Sequence, residues 1–414
     1  MAAIVTYLSD VEGQWTKLDR FCRDNPFVAL GPDGLRIADG ATFVFGGDSV
    51  DRGPAGRRVV RTLLDAKRAQ PDRVVVLAGN RDINKLRLAR ELRGAPPRRA
   101  PDVRGAALLR WILAETMGAR RAFEHRRTEL RAAGEASDDD AVTESFLADV
   151  APDGELCQLL ARSALAHRVD ETLFVHGGVT AESFLCVPGR SARCSDVDAW
   201  VAELNEFIAA QVAAFVADRH DPRTEPAWAE LIGYQAPRHG TSKNQGSVVY
   251  ARPTDEVGNP LLPSAPVVRA LRAAGVRRVV VGHTPSGDCP AVVRDGRGFE
   301  LVLADNSYGR VEPGSQVYIE GSMLRIVGET ELDGGERAAV RFEAHLDDSA
   351  SPLGLRMDGS EQLVKARLER GDWLLFRGLA GRGVEQLAAS DAALRRQRLV
   401  PPPAYDDDFG EPRR

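Results

Sequence analysis

The chain has 414 residues, 43% of them hydrophobic and 28% charged, which is enough to bury a sizeable core and long enough for more than one domain. Its net charge of −5 provides no basic field toward nucleic acid or an anionic membrane, and no apolar run reaches the length of a membrane span. The five cysteines are scattered and the first residues lack a signal-peptide pattern, so we expect a cytoplasmic protein with neither a disulfide framework nor a zinc ribbon.

The first third of the chain alternates between apolar strand runs and amphipathic helices. The pattern predicts strands over residues 3–8, 42–45 and 74–78, and helices over residues 15–22 and 54–69. Residues 3–8 alternate weakly, whereas 42–45 and 74–78 are nearly continuous apolar runs, which are typical of a sheet that is buried on both faces.

Residues 83–170 change character and are predicted to form a helical insertion rich in arginine. Glutamates are interspersed with the arginines and aromatic residues are few. We therefore interpret this segment as a charged helical cap that helps to select a substrate, and we expect no nucleic-acid partner.

The alternation of strands and helices resumes after the insertion. Strands are predicted over residues 172–175, 278–281 and 299–304, and helices over 197–217 and 267–274. The chain thus belongs to the α/β class.

Short strands separated by Gly and Asp turns follow from about residue 313. We predict a β-rich C-terminal region over residues 313–398, as a possible extension of the second sheet. Residues 399–414 are rich in Pro and Asp, and a disordered tail is predicted there.

Five of the predicted strands end in polar motifs that are able to bind metal or phosphate. They are DVEG (10–13), GDSVDRG (47–53), GNRD (79–82), HGG (176–178) and GHTP (282–285). Ligands of open α/β sheets gather at the carboxyl ends of strands, and a mixture of carboxylate, amide and imidazole suits Mn, Fe or Zn. Two such ions about 3.5–4 Å apart activate water and hold a phosphoryl group, and Asp48 is the natural carboxylate bridge between them.

The ordered set of motifs resembles the calcineurin-like metallophosphoesterases, closest to the branch of phosphoprotein phosphatases and diadenosine tetraphosphatases. That family runs DxHG, GDxxDRG, GNHE or GNHD, HGG and GH, and the similarity spans roughly residues 4–308. The resemblance implies two mixed sheets packed face to face with flanking helices, in a catalytic domain over residues 1–312. It also implies two divalent metal ions and a phosphorylated substrate.

The resemblance also assigns roles to individual residues. It makes Asp10 a ligand of the first ion and Asp48 the bridge, and it places Glu12 at the position of a further ligand of the first ion, bound directly or through water. It places the second ion among the ligands Asn80, His176 and His283, and gives Arg52 the grip on the substrate phosphate.

Two positions depart from the family pattern. Glu12 stands where the family has a metal-binding histidine, and it remains an oxygen ligand. Arg81 stands where the phosphatases have the histidine that protonates the leaving group; arginine stays protonated and cannot be that acid, although it can hold phosphate. Asp51, which orients the missing histidine in the family, is expected to pair with Arg81. We therefore assign catalytic roles to Arg52, Arg81 and Asp51.

A basic, turn-rich loop lies between the HGG and GHTP motifs. Arg238 is the candidate there for a further phosphate contact, and the neighbouring His239 is a candidate site residue. The same loop also fits a solvated turn.

Three functions agree with these residues. The first is a metal-dependent phosphomonoesterase, with phosphoserine or phosphothreonine as candidate substrates. The second is a hydrolase of nucleotide or dinucleotide polyphosphates, because the GHTP motif resembles that branch. The third is a pseudo-phosphatase that binds phosphorylated partners without turnover, which the two departures at Glu12 and Arg81 would explain.

Overall fold

The structure is a computed structural model that describes residues 4–219, 221, 224–238 and 243–405. Its strands are β1 (Ile4–Leu8), β2 (Val28–Gly31), β3 (Gly34–Ile37), β4 (Ala41–Phe45), β5 (Val74–Val76), β6 (Ala166–Val169), β7 (Thr172–Val175), β8 (Arg278–Val281), β9 (Ala291–Arg294), β10 (Glu300–Leu303), β11 (Gln316–Glu320), β12 (Met323–Glu331), β13 (Arg337–His345), β14 (Arg356–Met357), β15 (Leu363–Arg367), β16 (Trp373–Leu379), β17 (Gly383–Ala389) and β18 (Leu399–Val400). Its helices are α1 (Trp15–Asp24), α2 (Gly56–Ala69), α3 (Asn80–Asn84), α4 (Leu88–Glu91), α5 (Gly105–Trp111), α6 (Ala122–Ala132), α7 (Asp139–Asp149), α8 (Glu155–Leu160), α9 (Val197–Ala217), α10 (Ala229–Tyr234), α11 (Ala265–Ala273) and α12 (Asp391–Leu394). Short 3-10 turns cover Lys85–Arg87 and Ala380–Arg382, and a π turn covers Ile112–Thr116.

The first sheet has the strand order β13-β12-β11-β1-β4-β5. Strands β1, β4 and β5 are parallel to one another, and Leu8 lies opposite Phe45 in the register of β1 and β4. Because both strands end at this level, the polar residues that follow them emerge side by side at the same edge of the sheet.

The second sheet has the order β6-β7-β8-β10-β9, with β7, β8 and β10 parallel. Every residue of β7, β8 and β10 is buried. The apolar run of each strand therefore meets packed protein on both faces of the sheet.

The two sheets pack face to face. One buried cluster joins Val5 and Val44 of the first sheet to Val280 of the second, and the stacked rings of Tyr7 and Phe174 lie 5.9 Å apart between the sheets. Helices α1 and α2 cover the outer face of the first sheet, and α9 and α11 cover that of the second. This four-layer arrangement confirms the predicted α/β fold.

Helices α4 to α8 lie within residues 83–170, and α4 to α7 share a small core around Leu109, Ile112 and Phe123. Residues 166–169 of this segment are not helical but form strand β6 of the second sheet. Several arginines of this segment are paired with acids at its surface: Arg110 and Arg127 both contact Glu124 and Asp139. These pairs support the interpretation as a charged exterior.

Helix α9 is long and apolar enough to cross a membrane by length and composition alone. One stripe of the helix, including Trp200, Leu204 and Ile208, is fully buried in the core that covers the second sheet. Its residues recur every four positions, as expected for a helix that packs one face on a sheet.

The C-terminal strands differ from the expectation in two ways. Strands β11, β12 and β13 extend the first sheet, not the second, because β11 pairs with β1 so that Val5 lies opposite Ile319. The first sheet is thus completed by residues beyond position 312, while β14 to β18 form a third sheet of their own.

The predicted disordered tail is wrong for residues 399–405. Leu399 pairs with Met357 of β14, and the buried Tyr405 donates its hydroxyl hydrogen bond to the carbonyl of Val179. Apolar Leu399 and aromatic Tyr405 give these residues contacts that the Pro-rich composition conceals. Residues 406–414 lie outside the described part of the chain.

Candidate active site

The loops after β1, β4, β7 and β8 are tied together by backbone hydrogen bonds. The amide of Asp10 donates to the carbonyl of Gly47 over 2.9 Å, and the amide of Gly282 donates to the carbonyl of His176 over 2.9 Å. Five of the seven non-glycine residues with positive φ in the described ranges lie in these loops; they are Asp10, Glu12, Asp48, Asp51 and His283. Strained backbone of this kind persists where the surrounding structure enforces it, and it concentrates at functional sites.

Gly47 shows why the motifs need glycine. Its φ is +99°, and a Cβ there would lie 2.7 Å from Nδ1 of His176 and 2.8 Å from the Cα of Gly79. Only glycine permits this conformation and this approach of the loops.

Four predicted metal ligands converge. The Nε2 atom of His176 lies 3.3 Å from Oδ1 of Asp48 and 3.2 Å from Oδ1 of Asn80. The ligand atoms of Asp48, His176 and His283 all lie within 4.8 Å of one another, and all three residues are buried. A mixed set of carboxylate, amide and imidazole at this spacing fits a borderline divalent cation.

The second nitrogen of His176 is engaged with the backbone. Nδ1 lies 2.7 Å from the carbonyl oxygen of Gly46, which can only accept, so Nδ1 is the donor. This contact turns Nε2 toward Asp48 and Asn80, as is usual for a metal-ligating histidine.

His283 is also ready to act as a ligand. Its Nε2 is buried without a hydrogen-bond partner among the described residues. Burial, together with the positive charge of Arg252, lowers the pKa of His283 well below its usual value, so the imidazole is neutral. A neutral, buried and unpartnered nitrogen is the form in which histidine binds a metal.

The charges of Asp48 and His176 are linked. Burial alone would raise the pKa of Asp48, but His176 and Arg81 outweigh it and lower that pKa. In turn, burial lowers the pKa of His176, but Asp48 outweighs it and raises that pKa to about 9. A metal that binds Nε2 must therefore displace a proton, which makes metal binding weaker at low pH.

The residues predicted for the first ion do not fit one in this arrangement. Oε1 of Glu12 lies 2.6 Å from Nε of Arg81 and 3.3 Å from Nε of Arg52. Burial raises the pKa of Glu12 to about 8, although both arginines lower it. Both carboxylate oxygens of Asp10 accept the backbone N–H of His283, each at 3.1 Å. Within the described ranges, the ligand atoms of Asp10, Glu12 and Asp48 do not form a cluster like that around His176.

Arg81 occupies the centre of this acidic group. Its Nε lies 3.5 Å from Oδ2 of Asp48, and its Nη1 lies 3.4 Å from Oδ2 of Asp51. The expected pairing of Asp51 with Arg81 is therefore present. Asp51 also accepts a hydrogen bond from Lys85 over 2.7 Å.

Comparison with known proteins agrees with this geometry. The model of the calcineurin-like phosphoesterase family matches residues 4–287, which is more than half of the chain. The chain belongs to the calcineurin-like phosphoesterase family. It is accordingly a metal-dependent hydrolase of phosphate esters, as the motifs predicted.

No curated protein matches the chain. Among solved structures, a cold-active protein-tyrosine phosphatase of a psychrophile Shewanella species is 16% identical, with a TM-score of 0.47 over 82% of this chain and 80% of that one. A protein serine/threonine phosphatase of Saccharomyces cerevisiae is 15% identical, with a TM-score of 0.39 over 78% of this chain and 74% of that one.

Arg52 connects the site of this phosphoesterase to the surface. Its side chain is 26% exposed, and its guanidinium carbon lies 3.7 Å from the ring centroid of the exposed Tyr308. A guanidinium at this position is able to meet phosphate from solvent with two parallel hydrogen bonds. Nothing in the sequence indicated Tyr308, because it follows the last motif and has no characteristic spacing.

Asp82 fastens two of the loops of the phosphoesterase. Its carboxylate accepts the backbone N–H groups of Asp48 at 2.9 Å, Ser49 at 2.8 Å and Gly79 at 3.1 Å. The third position of helix α3 suits a capping acid, so the GNRD motif contained this signal. Asp82 thus positions the loops that present Asp48.

Lys17 is a second residue that the sequence analysis missed. It is fully buried, and its Nζ donates to the carbonyl oxygen of Asp10 over 2.9 Å. A lysine on the buried face of helix α1 has no sequence signal that distinguishes it from a surface lysine.

Arg238 forms an ion pair with Glu182, and its role as a phosphate contact stays a prediction. His239 lies outside the described residues. Arg252 lies near the predicted ligand His283, and its positive charge lowers the pKa of that residue. The guanidinium of Arg252 lies 5.5 Å from the ring of Tyr250, and the Tyr250 ring lies 4.9 Å from the ring of His283.

Proposed function

We propose that this chain hydrolyses phosphate monoesters with a divalent ion held by Asp48, Asn80, His176 and His283. The observation that carries the proposal is that Nε2 of His176 lies 3.3 Å from Oδ1 of Asp48 and 3.2 Å from Oδ1 of Asn80. An ion bound there would supply Lewis acidity to a phosphoryl oxygen and make a water molecule more acidic.

The residues of the chain divide the remaining tasks. Asp48 stays ionised and offers negative charge to the cation, while Asn80 and His283 offer neutral ligands and His176 would become one on losing its proton. Arg52 binds the phosphate oxygens that face solvent, and Arg81 supplies a permanent positive charge beside Asp48. Together the arginines compensate the charge of a phosphate dianion.

The finer form of the mechanism, with water activated between two ions, requires a second ion at Asp10, Glu12 and Asp48. The contacts of Glu12 with Arg81 and Arg52 do not favour that ion. The proposal of Mn, Fe or Zn rests on the ligand types alone.

The substrate class follows from the leaving group. The charges of Glu12 and Asp51 outweigh burial and raise the pKa of Arg81 further, so Arg81 donates no proton to a departing alkoxide. Aryl phosphates therefore suit this site better than phosphoserine or phosphothreonine, because a phenolate leaves without that proton.

Hydrolysis of a nucleotide or dinucleotide polyphosphate is the second candidate. It is favoured by Tyr308, since an exposed ring that lies on the phosphate-binding Arg52 is able to stack on a base. A phosphoanhydride also leaves without protonation.

The test compares three substrates with Mn²⁺ supplied: an aryl phosphate, a phosphoserine peptide and a dinucleotide polyphosphate. We expect the aryl phosphate or the polyphosphate to react at least about 10-fold faster than the peptide, because the missing acid is worth about 10²–10⁴-fold. His176→Gln should lose most bound metal and at least about 100-fold in kcat.

The matched control is His167→Gln, on the neighbouring strand β6, which should retain metal and activity. A wild-type chain that binds metal but hydrolyses none of the three substrates would favour a binding function instead. Full metal content and activity in His176→Gln would refute the assigned site.

A further inference from the structure

We propose that the guanidinium of Arg81 takes the place of a second metal ion, so that this chain binds one divalent ion per molecule. Glu12 is then a positioning residue for Arg81 and not a metal ligand. The inference rests on the proposed function in so far as it keeps one ion at Asp48, Asn80, His176 and His283.

The first argument is the orientation of the Asp48 carboxylate. Its Oδ1 faces the imidazole of His176 at 3.3 Å, as an oxygen bound to the proposed ion would. Its Oδ2, the oxygen available to a second ion, instead lies 3.5 Å from Nε of Arg81. The bridging carboxylate therefore connects a metal site on one side with a guanidinium on the other.

The second argument is that the two departures from the family pattern contact each other. Glu12 and Arg81 are 69 positions apart by number, yet Oε1 and Nε lie 2.6 Å apart. The side chain of Glu12 is 3% exposed and that of Arg81 is 15% exposed, so the pair is largely removed from solvent. A buried carboxylate needs such a partner, and a buried pair of this kind is costly to break from one side only.

The third argument is the local charge. Besides Arg81, the guanidinium of Arg52 lies 3.3 Å from Glu12, and the buried ammonium of Lys17 donates to the carbonyl of Asp10. A dication placed between Asp10 and Glu12 would face these three cations in a poorly solvated environment. The carboxylates are already compensated by the protein itself.

The fourth argument is the number of ligands left. Among the described side chains of the predicted first site, the one buried oxygen without a partner is Oε2 of Glu12. An ion there would compete for the other carboxylate oxygens with the groups that already contact them, and Mn, Fe or Zn takes four or more ligands. Asp51, itself paired with Lys85, contacts Nη1 of Arg81 and so helps to fix the guanidinium beside Asp48.

The experiment measures the metal content of the whole chain. The wild type is loaded with Mn²⁺, desalted and analysed for Mn per chain by mass spectrometry, and its electron paramagnetic resonance spectrum is recorded. We expect one ion per chain and the spectrum of isolated Mn²⁺. The double variant Glu12→His/Arg81→His, which removes the ion pair and supplies two imidazoles, should bind two ions per chain and show exchange-coupled Mn²⁺.

The control is Glu124→His/Arg127→His, which makes the same chemical change in an ion pair of the insertion and should keep one ion. Two ions or coupled Mn²⁺ in the wild type would overturn the inference, whether or not the double variant folds. A folded double variant that still binds one ion would overturn it too. Hydrolysis by a two-ion wild type would leave the proposed function intact, whereas one ion without hydrolysis would reject the function and leave this inference standing.

Discussion

At the scale of single residues, the sequence predicted which side chains converge at the proposed metal site better than it predicted their partners. Asp48, Asn80, His176 and His283 were recognisable because each directly follows an apolar strand within a glycine-containing motif. The pairing of Asp51 with Arg81 could also be predicted. The contact of Glu12 with Arg81 could not, because spacing along the chain does not tell which residues of two neighbouring loops touch.

Arg52 provides a prediction at this scale. Arg52→Ala should lower kcat/KM for a small aryl phosphate by about 10²–10³-fold, the usual effect of removing one preorganised donor to a developing charge. The melting temperature should change little, because the side chain is partly exposed and its neighbour Tyr308 lies at the surface.

The control for this prediction is Arg58→Ala, which removes an arginine that stacks on Trp15 of helix α1. It should leave kcat/KM unchanged. An equal loss of activity in both variants would mean that Arg52 supports the structure and does not bind phosphate.

At the scale of elements, the predictable part was the part with continuous apolar runs. Strands β4, β7 and β8 lie within a residue of their predicted bounds, since a short run of Val, Leu and Phe close to glycine has few other structures open to it. The short strands beyond β10 could be recognised as strands, but the sequence did not show which sheet each of them joins. Periodicity shows which face of a strand is buried and says nothing about which strand lies beside it.

The loop between β4 and α2 gives the prediction for an element. Gly47→Ala should destabilise the fold by about 1–3 kcal/mol from the positive φ alone, and further because the new Cβ would lie 2.7 Å from Nδ1 of His176. Metal affinity should fall with it, because the imidazole must move. Urea unfolding and Mn²⁺ titration measure the two effects.

Gly40→Ala separates the two causes. Gly40 has a φ of +76°, but a Cβ there would meet nothing within 4 Å. The Gly40→Ala variant should therefore lose only the free energy of unfolding that the positive φ costs, and its Mn²⁺ affinity should be unchanged. If both variants are equally destabilised and both retain metal, the close approach of Gly47 to His176 has no energetic role.

At the scale of the whole molecule, two segments late in the chain pack against much earlier ones. Strand β11 returns to pair with β1, and Tyr405 returns to the loop after His176, where it donates to the carbonyl of Val179 and lies beside Gly178. Both contacts join segments that are hundreds of residues apart, so no local pattern predicts them. The Pro-rich composition after residue 399 instead favoured disorder.

The contact of Tyr405 with the HGG loop is the basis of the last prediction. Tyr405 is 7% exposed, and its amide donates to the carbonyl of Leu262 over 2.9 Å. Tyr405→Ala should therefore cost about 3–5 kcal/mol in the free energy of unfolding, the usual range for removing a buried aromatic ring. Tyr405→Phe keeps the ring and loses the hydroxyl bond to Val179, so it should cost about 1 kcal/mol.

Tyr308→Ala makes the same truncation at a ring that is 42% exposed and should cost less than Tyr405→Ala. Denaturant unfolding of the three variants decides the matter, and a Tyr405→Ala chain as stable as Tyr308→Ala would mean that residues 399–405 do not hold the loop beside the metal ligands.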